Sequence, residues 1–312
     1  MTFVPPEIPG VAWHIAAPLA PRTTYKVGGA ADILADIADV AGLTSILRAL
    51  SEANMPFVVL GNGSNLLVSD DGYRGCALVL GEAFKTLDIT TDDDGTRHLV
   101  AGAAVSITRL LRFAKQSDFS GLHRLGGVPG TVGGAVKMNA GTRWGETADI
   151  LHSATICTAA GQSDRPTSAL GLAYRHSEIL ATEVVTAATF VLPAEATDTV
   201  SDYEEVLAYR KRTQPLQYPS CGSVFANPPG DSAGRLIEAA GLKGMIIGGA
   251  SISDQHANWI INLGDATAAD VYSLITLART RVEAEFGVVL RPEVQLIGSF
   301  PRSSTDSAGG PA

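Results

Sequence analysis

Cysteine is scarce in this 312-residue chain: Cys76, Cys157 and Cys221 stand far apart and odd in number. Such a set argues against a disulfide framework and a zinc cluster, and predicts buried or half-buried thiols in a reducing, cytoplasmic compartment. Positive charge is short as well. Lys plus Arg number 23 against 32 Asp plus Glu, a formal net charge of −9. That balance repels nucleic acid and anionic membranes, so neither is expected as a partner. The first strongly basic residue is Arg22, which leaves no charged head of a signal peptide. No apolar run approaches the roughly 18–20 residues of a membrane span. HExxH and CxxC patterns are missing, no His pair has ligand spacing, and there is no Walker lysine. A metal site and ATP or GTP chemistry are therefore not expected.

Glycine is what the chain has in quantity, 33 residues, within a composition that is 46% hydrophobic and 18% charged. Those fractions describe a globular protein, and the length suits two or three domains. A surplus of glycine serves turns, or ligands that need bare backbone.

Residues 1–22, rich in Pro and Ala, read as a surface lead-in, and residues 303–312 as a disordered polar tail. Val40, Leu43, Ile46, Leu47 and Leu50 repeat at the helical period over 39–54. A buried strand follows at 57–60, then the polar loop GNGSN at 61–65, then a second strand at 66–68. Ser106 caps a helix with Ile107, Leu110, Leu111 and Ala114 on one face. The spacing predicts a strand at 184–192 and a capping box at 201–204 opening a helix that Pro215 stops. Further on it predicts a helix over 231–240, a strand at 245–247, a helix from Thr267 to about Phe286 and a closing strand over 288–296. Strands and helices mix without strict βαβ alternation, which makes the class α+β.

The loop Gly61, Asn62, Gly63, Ser64, Asn65 fails the dinucleotide fingerprint because Leu66 stands where the third glycine belongs. Two readings stay open for it, a hairpin turn or a neutral cluster of backbone N–H, hydroxyl and amide donors suited to a pyrophosphate. Residues 126–134 hold five glycines in nine positions, a costly density for any regular element. Gly127, Gly130 and Gly133 fall three apart, with Gly134 next, so one face of a short helical turn is bare. Three single residues complete the picture: Arg175 in YRHS, Ser223 in SCGS and Glu293 in an otherwise apolar closing strand. Taken singly, an arginine reads as surface charge and a serine after glycine as a turn.

Together these segments resemble the UDP-N-acetylenolpyruvoylglucosamine reductases, flavoenzymes of early peptidoglycan synthesis, over about residues 23–299. The likeness rests on VGGAAD (27–32), VLGNGSNLLVSD (59–70), GVPGTVGGAVKMNAG (127–141), YRHS (174–177), RKRTQP (210–215), SCGSVFANP (220–228), AGLKG (240–244) and RPEVQLIG (291–298). The close spacing of Tyr174 and Ser223 matches the subclass with the short substrate domain.

The resemblance implies a two-subdomain FAD-binding fold of the vanillyl-alcohol-oxidase type, over 1–75 and 76–205, and an α+β substrate domain over 206–302. It implies non-covalent FAD held by Gly61, Asn62, Gly63, Ser64, Asn65, Gly130, Thr131, Gly133, Gly134 and Asn139. It also implies NADPH as reductant and UDP-N-acetylglucosamine enolpyruvate as substrate, with a monomer as the working unit. Arg175 and a protonated Glu293 would stabilise the enediolate that forms on hydride addition, and Ser223 would donate the proton. Tyr174, Asn227 and Lys243 would hold the nucleotide sugar, with Lys211 and His256 as further candidates. An FAD oxidase of the same fold and a nucleotide-sugar binding module without flavin remain the alternatives.

Overall fold

The computed structural model describes residues 3–119, 121–191 and 200–301. The capping box expected from Ser201 and the tail at 303–312 lie outside the described residues and side chains. In chain order the elements are β1 (Val11–Pro18), β2 (Ala30–Ile37), α1 (Val40–Glu52), β3 (Phe57–Val59), β4 (Leu66–Val68) and β5 (Tyr73–Leu80). Next come β6 (Leu87–Thr91), β7 (Arg97–Gly102), α2 (Ile107–Gln116), α3 (Val132–Lys137), β8 (Gly141–Thr142) and β9 (Gly145–Glu146). They are followed by β10 (Leu151–Thr158), β11 (Gly161–Pro166), β12 (Val184–Val191), α4 (Val200–Thr213) and α5 (Ala233–Ala239). The last are β13 (Ile246–Ile247), β14 (Ala250–Ile252), β15 (Ile260–Asn262), α6 (Ala268–Phe286) and β16 (Gln295–Ile297). The class is α+β.

Contacts group the chain into two compact units rather than three consecutive segments. The first comprises residues 1–16, 33–62 and 75–210; the second comprises 17–32, 63–74 and 211–312. Strand pairing is the reason that early segments join the C-terminal part. β4 runs parallel to β16 with Leu66, Leu67 and Val68 opposite Gln295, Leu296 and Ile297. Tyr25, Val27 and Leu67 share a buried core with Leu274, Ile275 and Ala278 of α6.

In the first unit a five-stranded antiparallel sheet runs in the order β11-β10-β12-β7-β6. Asp39 caps α1, accepting from Gly42 N at 2.8 Å, and Leu43, Ile46, Leu47 and Leu50 are buried. Ser106 caps α2, which buries Ile107, Leu110, Leu111 and Ala114. Each such leucine or isoleucine contributes about 1.5–3 kcal/mol, so these apolar faces, more than helix propensity, hold α1 and α2. Residues 1–22 are not only a lead-in: β1 forms the edge of the sheet β1-β2-β5-β3. Most of its side chains are exposed, so it is held by backbone pairing and leaves no strong hydrophobic signal.

In the second unit β13-β14-β15 form a three-stranded sheet. Thr267 and Asp270 make the expected capping box at α6, and Gly287 at φ +67° ends that helix. The Asp70 carboxylate adds a second cap, accepting from Ala268 N and Ala269 N, each at 2.9 Å. The closing strand is shorter than expected, only Gln295–Ile297. Upstream of it, Glu293 N and Val294 N both turn to the single carbonyl of Val224, at 2.8 and 3.4 Å. Pro292 has no N–H to give, so a regular ladder does not extend through this segment.

Candidate functional site

The glycine loops of the first unit divide by what their missing side chains leave room for. A Cβ on Gly133 would stand 2.9 Å from the Ala103 Cβ, so this glycine lets α3 pack closely. A Cβ on Gly61 would stand 2.7 Å from Thr131 Oγ1. Gly130 has φ +117°, a conformation other residues rarely adopt. Its carbonyl accepts from Asn62 Nδ2 at 3.2 Å and from Ile107 N at 3.1 Å. Thr131 opens α3, its Oγ1 accepting from Gly134 N at 3.4 Å. Gly134 is exposed, and a Cβ there would meet nothing nearer than Thr131 Oγ1 at 3.6 Å. The bare backbone of Gly134, in the turn whose Gly130 carbonyl the Asn62 amide holds, fits an uncharged cradle for a bound dinucleotide such as FAD.

Tyr174 and Arg175 sit at the tip of a tight turn, closed by two backbone bonds between Ala173 and His176, at 3.1 and 2.9 Å. Arg175 has φ +55°, a left-handed conformation costing a non-glycine residue about 1–3 kcal/mol. Its Nη2 donates to Gly141 O at 2.8 Å, and its Cζ lies 4.9 Å from the centroid of the Tyr174 ring. Asn139, expected as a cofactor contact, has its side chain employed elsewhere. It is fully buried, its Nδ2 donates to Ala173 O and its Oδ1 accepts from Ala148 N, each at 2.9 Å. It therefore fastens the base of the Arg175 turn. Lys137 adds to the fastening by donating to the carbonyls of Ile179 and Leu180, and burial pushes its pKa down.

The second unit brings Ser223 and Glu293 together. Val224 N donates to Asn258 O at 2.9 Å, and Val224 O accepts from Glu293 N at 2.8 Å. The Asn258 side chain closes the clamp, bonding Phe225 N and O at 3.0 and 2.8 Å. Ser223 is half-buried, and among the described residues its hydroxyl has no hydrogen-bond partner. Glu293 is half-buried too, and its carbonyl accepts from Asn65 Nδ2 at 3.0 Å and Gln295 Nε2 at 3.2 Å. Gly63 serves the protein itself: at φ +61° a Cβ would stand 2.1 Å from Arg22 O, and its carbonyl accepts from Thr24 N at 3.1 Å. Ser64 and Asn65, which follow it, are half-buried.

Asn227 is exposed, and its Oδ1 accepts from Ala233 N at 3.0 Å at the start of α5. Lys243 is exposed and pairs with Glu238 at 3.0 Å, a surface ion pair worth about 0–1 kcal/mol. Its cation is thus cheaply exchanged for another anion. Lys211 is exposed. The His256 ring accepts at Nδ1 from Asn258 N, which leaves Nε2 as its donor. Burial chiefly, with a smaller contribution from Lys243, holds its pKa below the ordinary value. All three cysteines are free and buried, and burial pushes Cys76 and Cys221 up to about 12. Among the described residues no helix is long and apolar enough to cross a membrane.

The residues missed from the sequence are the clamps Asn258 and Asn262. Their signal is polarity at buried positions in and beside the apolar strand β15.

Residues 31–163 match the FAD binding domain family model. Residues 214–297 match the model of the UDP-N-acetylenolpyruvoylglucosamine reductase C-terminal domain. The chain is 46% identical over 285 residues to the UDP-N-acetylenolpyruvoylglucosamine reductase of Anaeromyxobacter sp. (strain Fw109-5), covering 91% of this chain and 88% of that one. It is 44% identical over 287 residues to the protein of that name from Myxococcus xanthus (strain DK1622), covering 91% of each. The crystal structure of the UDP-N-acetylenolpyruvylglucosamine reductase of Thermus caldophilus superposes with a TM-score of 0.75 at 36% identity, over 92% of this chain and 98% of that one.

Proposed function

The chain belongs to the UDP-N-acetylenolpyruvoylglucosamine reductase family, and from that premise we propose that Arg175, Ser223 and Glu293 carry the reduction. The reaction adds a hydride to the methylene carbon of the enolpyruvyl ether and a proton to C2, giving UDP-N-acetylmuramate. FAD, when bound, supplies the hydride, having been reduced by NADPH.

Hydride addition pushes negative charge from the double bond onto the substrate carboxylate. The forked guanidinium of Arg175 is suited to both carboxylate oxygens, and its bond to Gly141 O orients it beforehand. A protonated Glu293 side chain donates a hydrogen bond to the same developing enediolate. Ser223 gives its proton to C2, and solvent restores it. The observation that carries this reading is the direct backbone bond between Glu293 N and Val224 O at 2.8 Å, which holds acid and hydroxyl at adjoining places.

Asn62, Gly130, Thr131 and Gly134 would receive the dinucleotide through neutral donors, together with Ser64 and Asn65. That suits a chain with few cations, because an anionic cofactor is met by N–H and hydroxyl groups. Tyr174, Asn227 and Lys243 would hold the nucleotide sugar, with Lys243 leaving Glu238 for the diphosphate. We place the enzyme in the cytoplasm as a monomer; three free, buried thiols suit a reducing compartment.

The test is spectroscopic. Purified protein is expected to be yellow, to bleach with NADPH without oxygen, and to regain colour with UDP-N-acetylglucosamine enolpyruvate. Bleaching without anaerobic recovery on that substrate would overturn the reading. Ser223→Ala should bleach normally but recover more than a hundredfold more slowly.

A further inference from the structure

Lys137, Asn139 and Gly141, where α3 ends and β8 begins, each bond to the loop 173–180 that presents Arg175. Asn139 Nδ2 donates to Ala173 O at 2.9 Å, and Gly141 O accepts from Arg175 Nη2 at 2.8 Å. Lys137 makes three such bonds. Its carbonyl accepts from the buried Ser177 hydroxyl at 2.6 Å, and its ammonium donates to Ile179 O and, at 3.3 Å, to Leu180 O. The loop is thus tied upstream of Arg175 at Ala173 and downstream at Ser177, Ile179 and Leu180.

Between those ties the turn is closed by the paired backbone bonds of Ala173 and His176. Arg175 sits within it at φ +55°, a conformation that persists in a non-glycine residue only when the surroundings over-determine it. The guanidinium therefore keeps its aim as long as both flanks are held.

Stability does not account for the ammonium. It is half-buried, and burial holds its pKa below the ordinary value, so keeping it charged there opposes folding. Glu183, the carboxylate that acts on it, is already taken by two hydrogen bonds from Arg165 and one from Leu180 N at 2.9 Å. Methionine, of similar length, would fill the space without that desolvation. What the charge adds is the fixing of two carbonyls.

We propose that Lys137 is a positioning residue for Arg175, clasping the downstream flank of its turn so that the guanidinium meets the substrate carboxylate already aimed. The proposal rests on Arg175 being the carboxylate-binding group.

The test uses holoenzyme and two nucleotide sugars that differ in the carboxylate. Lys137→Met should keep its FAD content and its rate of bleaching by NADPH, while reoxidation by UDP-N-acetylglucosamine enolpyruvate slows about tenfold. In flavin absorbance titrations its Kd for UDP-N-acetylmuramate should rise about tenfold, with that for UDP-N-acetylglucosamine, which has no carboxylate, unchanged. Lys137→Arg, which keeps the donors, should restore both. In an Arg175→Met background the further change Lys137→Met should slow reoxidation no more. Should Lys137→Met fail to fold, Ser177→Ala, which removes only the bond to Lys137 O, should give the same pattern at about threefold. Equal weakening of the two nucleotide sugars overturns the proposal, because a merely structural defect does not single out the carboxylate. Reoxidation at the wild-type rate overturns it too. If Arg175→Met itself reoxidises normally, the reading of Arg175 falls first; if it is slow while Lys137→Met is normal, only the role of Lys137 falls.

Discussion

The side-chain amide of Asn65 donates to the backbone carbonyl of Glu293 at 3.0 Å, across 228 residues of chain. Gln295 N returns a bond to Asn65 O at 2.9 Å, so the loop before β4 and the segment before β16 are laced from both sides. One residue of the GNGSN loop thereby sets the backbone from which the Glu293 carboxyl projects.

Asn65→Ala should cost about 0.5–1.5 kcal/mol of stability, the worth of one partly buried hydrogen bond. Urea unfolding measures that loss. The larger effect should be on reoxidation by the enolpyruvyl substrate, roughly tenfold, because the Glu293 carbonyl loses its side-chain restraint near the reacting group while the backbone bond from Gln295 N stays. A variant with full reoxidation and reduced stability would confine Asn65 to a structural role.

Gly133→Ala and Gly134→Ala, neighbours in one turn, should fail in different ways. At Gly133 the new methyl meets Ala103 Cβ at 2.9 Å, so apoprotein stability should fall by about 1–3 kcal/mol. At Gly134 the space is open and alanine is the better helix former, so apoprotein stability should hold or rise by about 0.5–1 kcal/mol. FAD occupancy, read from visible absorbance after gel filtration, should drop in Gly134→Ala. Unchanged occupancy there would take the α3 turn out of the cofactor site.

Asn139→Ala removes both bonds of a fully buried amide, leaving Ala148 N without a partner and Ala173 O with only His176 N. A loss of about 2–4 kcal/mol is expected, with kcat falling because the Arg175 turn loosens. The backbone at Asn139 has φ +42°, so Asn139→Gly should recover the conformational part of the loss but not the hydrogen bonds.

His256 predicts a pH dependence of stability. Its folded pKa is lowered, mainly by burial, so below the ordinary value of 6.5 the unfolded chain binds a proton that the folded one refuses. Stability contributed by the neutral ring is complete above that value and is lost as pH falls towards the folded pKa. Unfolding measured from pH 7.5 to 5 should show the decline, and His256→Gln should flatten it. An unaltered decline would assign it to other groups.

The local elements were legible where their energetics are local. α1, α2 and α6 announced themselves by apolar residues at helical spacing and by Asp39, Ser106 and Thr267 as caps, because each helix buries one stripe and satisfies its own N–H groups. Glu293 stood out as a charge among apolar neighbours, although the strand expected around it is largely extended chain bonded to Val224. β1 escaped notice since its stability comes from the sheet edge and not from burial.

The motif blocks by themselves determined the family, and with it the flavin and the reaction, since glycines, serine, arginine and glutamate recur there in fixed order. Tertiary structure alone decided the division of labour within those blocks. It sent Gly133 and Gly63 to backbone packing, left Gly134 bare, turned Asn139 inward to hold the Arg175 turn, and joined Asn65 to Glu293. The reason is physical: a short motif states which groups are available, whereas the use of each hydrogen bond depends on partners brought near by folding from as far as 228 residues away.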